Sequence, residues 1–293
     1  MNSDDLLENG FIAIKRCRHG VFMFNRNDRF IGRSLDCYGE WCESELDLLL
    51  RFCRPGDTVI DVGANIGSHT IAFANAVGKS GAVYAFEPQR LPFQMLCGNA
   101  AANGLTNVRA LHKAAGAQDG TARIAAPAWD EPHNFGAVAI GDATSGGGGG
   151  EKVEVVAIDS LELPGCRLIK VDVEGMEPEV IRGARETIRK YQPYLFVENN
   201  TLEHASRTIE AVHEAGYRAW WHLGLYYNKD NFFQNRANIF APFKPEANML
   251  CLPSGGDPGV PELIECVGID DTWEKARDRG IAARNRLFFP RGR

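Results

Sequence analysis

Beyond residue 57 the chain settles into short apolar runs separated by stretches of helical period, a rhythm that predicts a parallel β-sheet covered by helices. Residues 58–62, 82–86, 108–112, 168–173 and 194–198 are mostly apolar, as strands buried on both faces must be. Between them, residues 67–77, 91–103, 178–191 and 202–215 read as helices; Pro178 suits a first helical turn and Gly216 a helix end. An antiparallel strand pair around a long loop follows over 218–252. The alternation breaks over 120–158, where 121–124, 136–140 and 153–157 read as strands of an insertion. Within it the glycine-rich run 145–150 has almost no side chains to pack and is expected to be a mobile loop. Upstream, 11–14, 21–24 and 29–31 read as short strands. A helix over 43–52 follows, with Leu46, Leu49, Leu50 and Cys53 on one stripe. The predicted fold class is α/β: a doubly wound, mostly parallel sheet with an antiparallel C-terminal strand pair and a β-rich N-terminal cap. The expected parts are a cap over 1–54, a main domain over 55–255 carrying the insertion 120–158, and a helical tail over 256–293.

Composition narrows the class. The 293 residues are 44% hydrophobic and 24% charged, enough apolar surface for a full core. A net charge of −6 provides no general basic field for nucleic acid, and the locally basic stretch 277–293 reads as a solvated helix and tail. Eight scattered cysteines include no C-x-x-C pair, which argues against a zinc knuckle or a disulfide framework; Cys53, Cys97, Cys166 and Cys251 read as small buried hydrophobes. No basic-then-apolar leader opens the chain, and no apolar run approaches the roughly 18 residues that cross a bilayer. A cytoplasmic, reduced protein without a membrane span is expected. Its oligomeric state is not legible.

In an open α/β sheet a ligand sits beyond the carboxyl ends of the strands, where the strand order reverses. The first strand runs into Asp61-Val62-Gly63-Ala64-Asn65-Ile66-Gly67-Ser68-His69-Thr70, with Gly63 and Gly67 allowing a tight turn and close approach of a ligand. Glu87, followed by Pro88, closes the next strand 26 residues after Asp61, where a carboxylate can accept hydrogen bonds from both ribose hydroxyls. A nicotinamide dinucleotide calls for a three-glycine turn under its pyrophosphate. Here Asn65 would crowd that group and Asp61 would repel it. A sulfonium cofactor bearing an ammonium group has the opposite need, and Asp61 and Asn65 suit it. S-adenosylmethionine is therefore the expected cofactor, with NAD and a bare glycine turn as the competing readings.

The fourth strand reads Lys170-Val171-Asp172-Val173-Glu174-Gly175-Met176-Glu177, and alternation puts Lys170, Asp172 and Glu174 on one face. Ionisable groups at the end of an apolar strand are tolerable where they open into a cleft and interact. Glu198, ending the next strand, is expected beside them; the bland alternative is a structural salt-bridge and capping cluster. Methyl transfer is an in-line displacement in which positioning supplies much of the rate, and a hydroxyl acceptor also benefits from a base. Asp172 or Glu174 is the candidate base, with Lys170 orienting it. A divalent metal held by Asp172 and Glu198 is an alternative, though nothing in the sequence requires one. His69, His133, His204 and His222 each read more simply as structural, while residues 133–136 are placed to reach over the cleft.

The residues also match a known pattern: Tyr38-Gly39-Glu40-Trp41 with Glu43 and Glu45, Pro55-Gly56-Asp57, the glycine loop, Phe86-Glu87-Pro88, Ile158-Asp159-Ser160-Leu161, residues 169–177, Gly183-Ala184, Pro193 and Glu198. In this combination, over about residues 30–200, the chain resembles the FkbM-type S-adenosylmethionine-dependent methyltransferases. The resemblance implies a class I methyltransferase fold, O-methylation and sugar-containing acceptors. It also implies cofactor contacts at Asp61, Gly63, Asn65, Glu87 and Asp172; Gly67, Thr70 and Pro88 join them from the motif. The partner expected is a small-molecule or glycan acceptor and not nucleic acid. Aromatic and amide residues over 217–240 suit a sugar, although strand packing accounts for many of them. An NAD-dependent oxidoreductase and a non-catalytic nucleotide-binding protein are the other function classes.

Overall fold

The computed structural model describes residues 5–141 and 150–288. Most of the glycine-rich run lies outside the described residues. A three-stranded antiparallel sheet opens the chain: β1 (Asp5–Asn9), β2 (Ile12–Cys17) and β3 (Gly20–Asn25), paired in that order. Two helices follow, α1 (Ile31–Tyr38) and α2 (Glu43–Leu50). Residues 29–31 are thus not a strand. The Asp28 carboxylate accepts the backbone N–H groups of Phe30 (3.0 Å) and Gly32 (3.1 Å), which satisfies donors a helix start leaves free.

The α/β part continues with β4 (Thr58–Val62), α3 (Ser68–Val77), β5 (Ala82–Phe86), α4 (Arg90–Ala102) and β6 (Val108–Leu111). A second small sheet is made by β7 (Ala114–Ala115), β8 (Gly120–Ile124), β9 (Ile140–Gly141) and β10 (Glu151–Val156), in the order β7-β10-β8-β9. Of the strand expected over 136–140 only its last residue is paired. Then come β11 (Leu168–Val171), α5 (Glu177–Gly183), α6 (Arg185–Tyr191), β12 (Tyr194–Glu198), α7 (Ala205–Glu214), β13 (Tyr217–Gly224), β14 (Glu246–Pro253), β15 (Ile264–Glu265) and α8 (Trp273–Phe288). The single helix expected over 178–191 is two. The Asp159 carboxylate accepts the N–H groups of Glu186 (2.9 Å) and Thr187 (2.8 Å), starting a second helix after Ala184. The C-terminal segment is not purely helical either, because β15 first extends the sheet.

The large sheet has the order β15-β13-β14-β12-β11-β4-β5-β6. Strands β12, β11, β4, β5 and β6 run parallel, and β14 lies antiparallel between β12 and β13. The chain moves outward from β4 to β6, then crosses back to β11 on the other side of β4. That reversal opens a crevice at the carboxyl ends. Both faces are covered. Ile60, Val62, Ile169, Val171, Leu195 and Val197 pack into one apolar cluster and Val59, Leu168 and Phe196 into another, which explains the unbroken apolar strands. Among the described residues no helix is long and apolar enough to cross a membrane.

The C-terminal segment is stapled to the sheet through Asp271. Its carboxylate accepts Trp221 Nε1–H (3.1 Å) and two guanidinium hydrogen bonds from Arg279 (both 2.6 Å). Asp271→Ala strands a buried indole N–H and removes a bidentate pair, an expected cost of about 2 kcal/mol in urea unfolding. A loss below about 0.5 kcal/mol would mean that the staple is idle.

Candidate active site

A cavity of about 310 Å³ lies beyond the carboxyl ends of β5, β4, β11 and β12. Its floor is organised by a buried charge bridge between the two central strands. Lys170 on β11 faces Asp61 on β4 in register, and its Nζ lies 3.6 Å from Asp61 Oδ1 and 3.1 Å from Asp172 Oδ2. Lys170 is 3% exposed and Asp61 is fully buried. Burial opposes the lysine's charge, yet Asp172 and Asp61 raise its pKa above the ordinary value. Burial likewise opposes ionisation of Asp172, but Lys170 beside it holds that carboxyl below the usual range. The Thr70 hydroxyl donates to Asp61 Oδ2 (2.6 Å), tying the start of α3 to the same carboxylate.

The glycine loop wraps this bridge. Gly63 has φ +77°, and a Cβ there would overlap the Asp172 carbonyl oxygen, so no larger residue fits. The N–H groups of Gly63 and Ala64 both donate to Phe86 O (3.0 and 2.9 Å), fastening the loop to the end of β5. There Glu87 accepts the N–H of Asn65 (2.8 Å) on one oxygen and that of Gln89 (2.7 Å) on the other. Burial pushes Glu87 up to about 7. Gly63, Asn65, Glu87, Pro88 and Asp172 line the cavity, whereas Asp61, Gly67 and Thr70 stand behind its wall and shape it.

Asn134, Gly136, Ala137 and Val138 of the insertion line the same cavity, and Gln89 Nε2–H donates to Phe135 O (2.8 Å). His133 is not a lining residue. Its backbone instead exchanges hydrogen bonds with Asn27 and Arg29 (3.0 Å each), which joins the insertion to the N-terminal segment.

At the reacting end β11 stops at Val171, two residues short of the expected strand. Glu174 (φ +53°) and Gly175 (φ +95°) turn the chain, held by Glu177, whose carboxylate accepts the N–H groups of Val173 (3.2 Å) and Gly175 (3.1 Å). The turn brings Asp172, Glu174 and Glu198 together, one carboxylate oxygen of each within 4.8 Å of the others. Burial first, then repulsion by Asp172, pushes Glu174 up to about 8 and Glu198 well above the carboxylate range. Such an oxygen set also fits a hard divalent cation, although Lys170 already supplies positive charge beside it.

Phe30, Trp41, Glu45, Lys244, Glu246 and Asn248 also line the cavity without having been assigned a site role from the sequence, as do His69, read as structural, and Tyr226, from the aromatic stretch. Glu45 lay on the apolar stripe side of a predicted helix, and a buried acid there was the available signal. Of the aromatic stretch 217–240 only Tyr226 reaches the cavity; Trp220, Trp221 and Phe240 are buried in packing. Gln89 Oε1 is a buried acceptor without a hydrogen-bond partner. A wall of acceptors suits hydroxyls and an ammonium group and repels a pyrophosphate.

The family model described as "Methyltransferase FkbM domain" matches residues 61–219, more than half of the chain. The chain belongs to the FkbM methyltransferase family. Its large sheet is a doubly wound α/β sheet whose strand order reverses at β4. Similar solved structures include a methyltransferase FkbM from Methylobacillus flagellatus (17% identity, TM-score 0.40, covering 71% of this chain and 50% of the other). Two others are M. jannaschii TYW2 in complex with AdoMet (13%, 0.46, 84% and 87%) and a SAM-dependent O-methyltransferase from Thermotoga maritima (14%, 0.45, 83% and 78%). The chain spans half the length of the Methylobacillus protein. No curated protein matches it.

Lys170→Met leaves Asp61 and Asp172 without their counter-charge and is expected to cost about 3 kcal/mol in urea unfolding. The loss should be smaller at pH 5 than at pH 8, because protonation neutralises an orphaned carboxylate. Equal loss at both pH values would contradict the bridge.

Proposed function

We propose that this FkbM-family protein is an S-adenosylmethionine-dependent O-methyltransferase acting on a hydroxyl of a sugar-containing or related metabolite in the cytoplasm. One observation carries the reading: Asp172, bridged by Lys170 to Asp61 under the glycine loop, stands in one cavity with Glu87 on one side and Glu174 and Glu198 on the other. Residues 1–54 and the insertion 120–158 serve as covers of that cavity.

Asp61, Gly67 and Thr70 support the glycine loop; Gly63 and Asn65 give it close approach to the cofactor; Glu87, next to Pro88, accepts the ribose hydroxyls. Asp172, ionised, attracts the ammonium group. When bound, the cofactor supplies a methyl carbon: the acceptor O–C bond forms as the S–C bond breaks, and the electron pair stays on sulfur. The acceptor's proton passes to Glu174, whose raised pKa suits it to a base near neutral pH better than Asp172, whose proton affinity Lys170 lowers. Lys170 holds Asp172 in place, and Glu198 stands beside Glu174. Were a divalent metal to bind, Asp172, Glu174 and Glu198 would hold it, and it would supply Lewis acidity toward the hydroxyl.

Calorimetric titration with S-adenosylmethionine, S-adenosylhomocysteine and NADH tests the cofactor. The first two should bind, with affinity rising between pH 6 and pH 8 as Glu87 ionises, and Glu87→Gln should flatten that rise. Binding of NADH alone would sink the reading. Glu174→Gln should lower kcat for labelled-methyl transfer by about a hundredfold while S-adenosylhomocysteine still binds. Cofactor binding with no transfer to any acceptor in a cell extract would instead mark a non-catalytic binding protein.

A further inference from the structure

The strand order spreads the cavity along a line. Glu87 marks the end of β5, then come β4, β11 and β12, and Glu246 opens β14 on the far side. Four strand spacings of about 4.8 Å put roughly 19 Å between the ends. The cofactor's own positive charges belong to the glycine loop and Asp172. The far end holds Glu45, Glu198 and Glu246, with Glu174 between. Among the described residues two lysines line the cavity: Lys170 bridges Asp61 and Asp172, and Lys244 donates to Asn200 O (3.2 Å) and lies 5.7 Å from the Trp273 ring. Burial raises Glu45 and Glu246 to about 7, at Glu45 against a partial opposing pull from His222 and Lys170.

Two further features of the far end point the same way. Its wall is aromatic: Trp41 and Tyr226 are 5.4 Å apart and near stacked, and Phe30 lies 5.7 Å from Tyr226. Ring faces beside carboxylates are the combination that attracts an organic ammonium. His69, only 5% exposed, also lines the cavity, and its Nε2 has no hydrogen-bond partner. That nitrogen lies 3.4 Å from Glu45 Oε2, and burial lowers the pKa of the ring to about 4, so the imidazole brings no positive charge to this acid. Glu246 is held ready by Asn200 Nδ2–H (3.0 Å) and the Tyr226 hydroxyl.

We propose that the methyl acceptor carries a protonated amino group, recognised by the rings of Trp41 and Tyr226 and by the carboxylate of Glu246. This rests on the methyl-transfer reading above and names the class of acceptor: an amino sugar or a similar amine-bearing polyol, methylated on a hydroxyl.

The test is calorimetry on the full chain saturated with S-adenosylhomocysteine, titrated at pH 7.5 with glucosamine, with glucose and with magnesium chloride. Glucosamine should bind at least about tenfold more tightly than glucose. Glu246→Gln should abolish that preference and Trp41→Leu should weaken glucosamine binding several-fold, both with S-adenosylhomocysteine affinity within about twofold of the parent, which reports a folded cofactor site. Equal affinity for the two sugars, no glucosamine binding, or a preference unchanged in Glu246→Gln overturns the proposal. So does magnesium binding that excludes glucosamine, which would make the acids a metal site. Failure of S-adenosylhomocysteine to bind the parent protein would instead strike the transfer reading itself.

Discussion

The buried contact between Lys170 and the two aspartates is the constraint from which the rest of the site follows. A lysine charge inside a parallel sheet is costly to desolvate, and a pair of apolar residues would close the β4–β11 seam at lower cost. What the bridge provides is position. Asp61 fixes Thr70 and the start of α3, Lys170 fixes Asp172, and the Asp172 carbonyl presses on Gly63 so closely that the loop can take only one path. Crevice, loop and acid are thus set by one electrostatic knot at the point where the strand order reverses.

The far half of the cavity is assembled differently, from segments distant in sequence. Tyr38 donates its hydroxyl to Ala237 O (2.7 Å) and accepts the N–H of Ile239 (2.8 Å). Glu40 gathers Arg18 (2.7 Å), Asn228 (3.0 Å) and the N–H of Phe232 (2.8 Å). These contacts pin the long loop between β13 and β14 to the N-terminal segment, and that loop leads from Tyr226 to Glu246. The N-terminal segment also clasps the insertion through Asn25 Nδ2–H to Trp129 O (2.8 Å). The N-terminal segment, the insertion and the loop between β13 and β14 therefore share one network of hydrogen bonds.

This difference decides what could be read from the sequence. The alternation of strand and helix, the glycine loop, Glu87 and the acids after β11 are local patterns, because each is a strand end and the residues just past it. Phe30 and Ile31 suit a strand, yet α1 starts there because a side chain, Asp28, takes over the backbone donors of Phe30 and Gly32. The break at Ala184 was hidden for the same reason, since Asp159 arrives from a different turn. Trp41, Glu45, Tyr226 and Glu246 meet only because β14 inserts between β12 and β13, and no periodicity reports such an insertion. Trp41 and Glu45 did stand within the family pattern, but the pattern carries no partner for them.

The same knot sorts the acids into roles. Asp172, although 40% of its side chain is open, keeps its charge because Lys170 is 3.1 Å away. Burial first, and that charge second, then raise the proton affinity of Glu174 and Glu198. Environments that drive neighbouring carboxyls apart in pKa are what separate a fixed negative charge from a proton acceptor. Under the proposed methyl-transfer reading, ionised Asp172 would hold the cofactor's ammonium group while Glu174, which titrates nearer neutrality, would take up the acceptor's proton. The burial of one lysine thereby sets which acid keeps its charge, Asp172, and which neighbour, Glu174, titrates close enough to neutrality to exchange a proton.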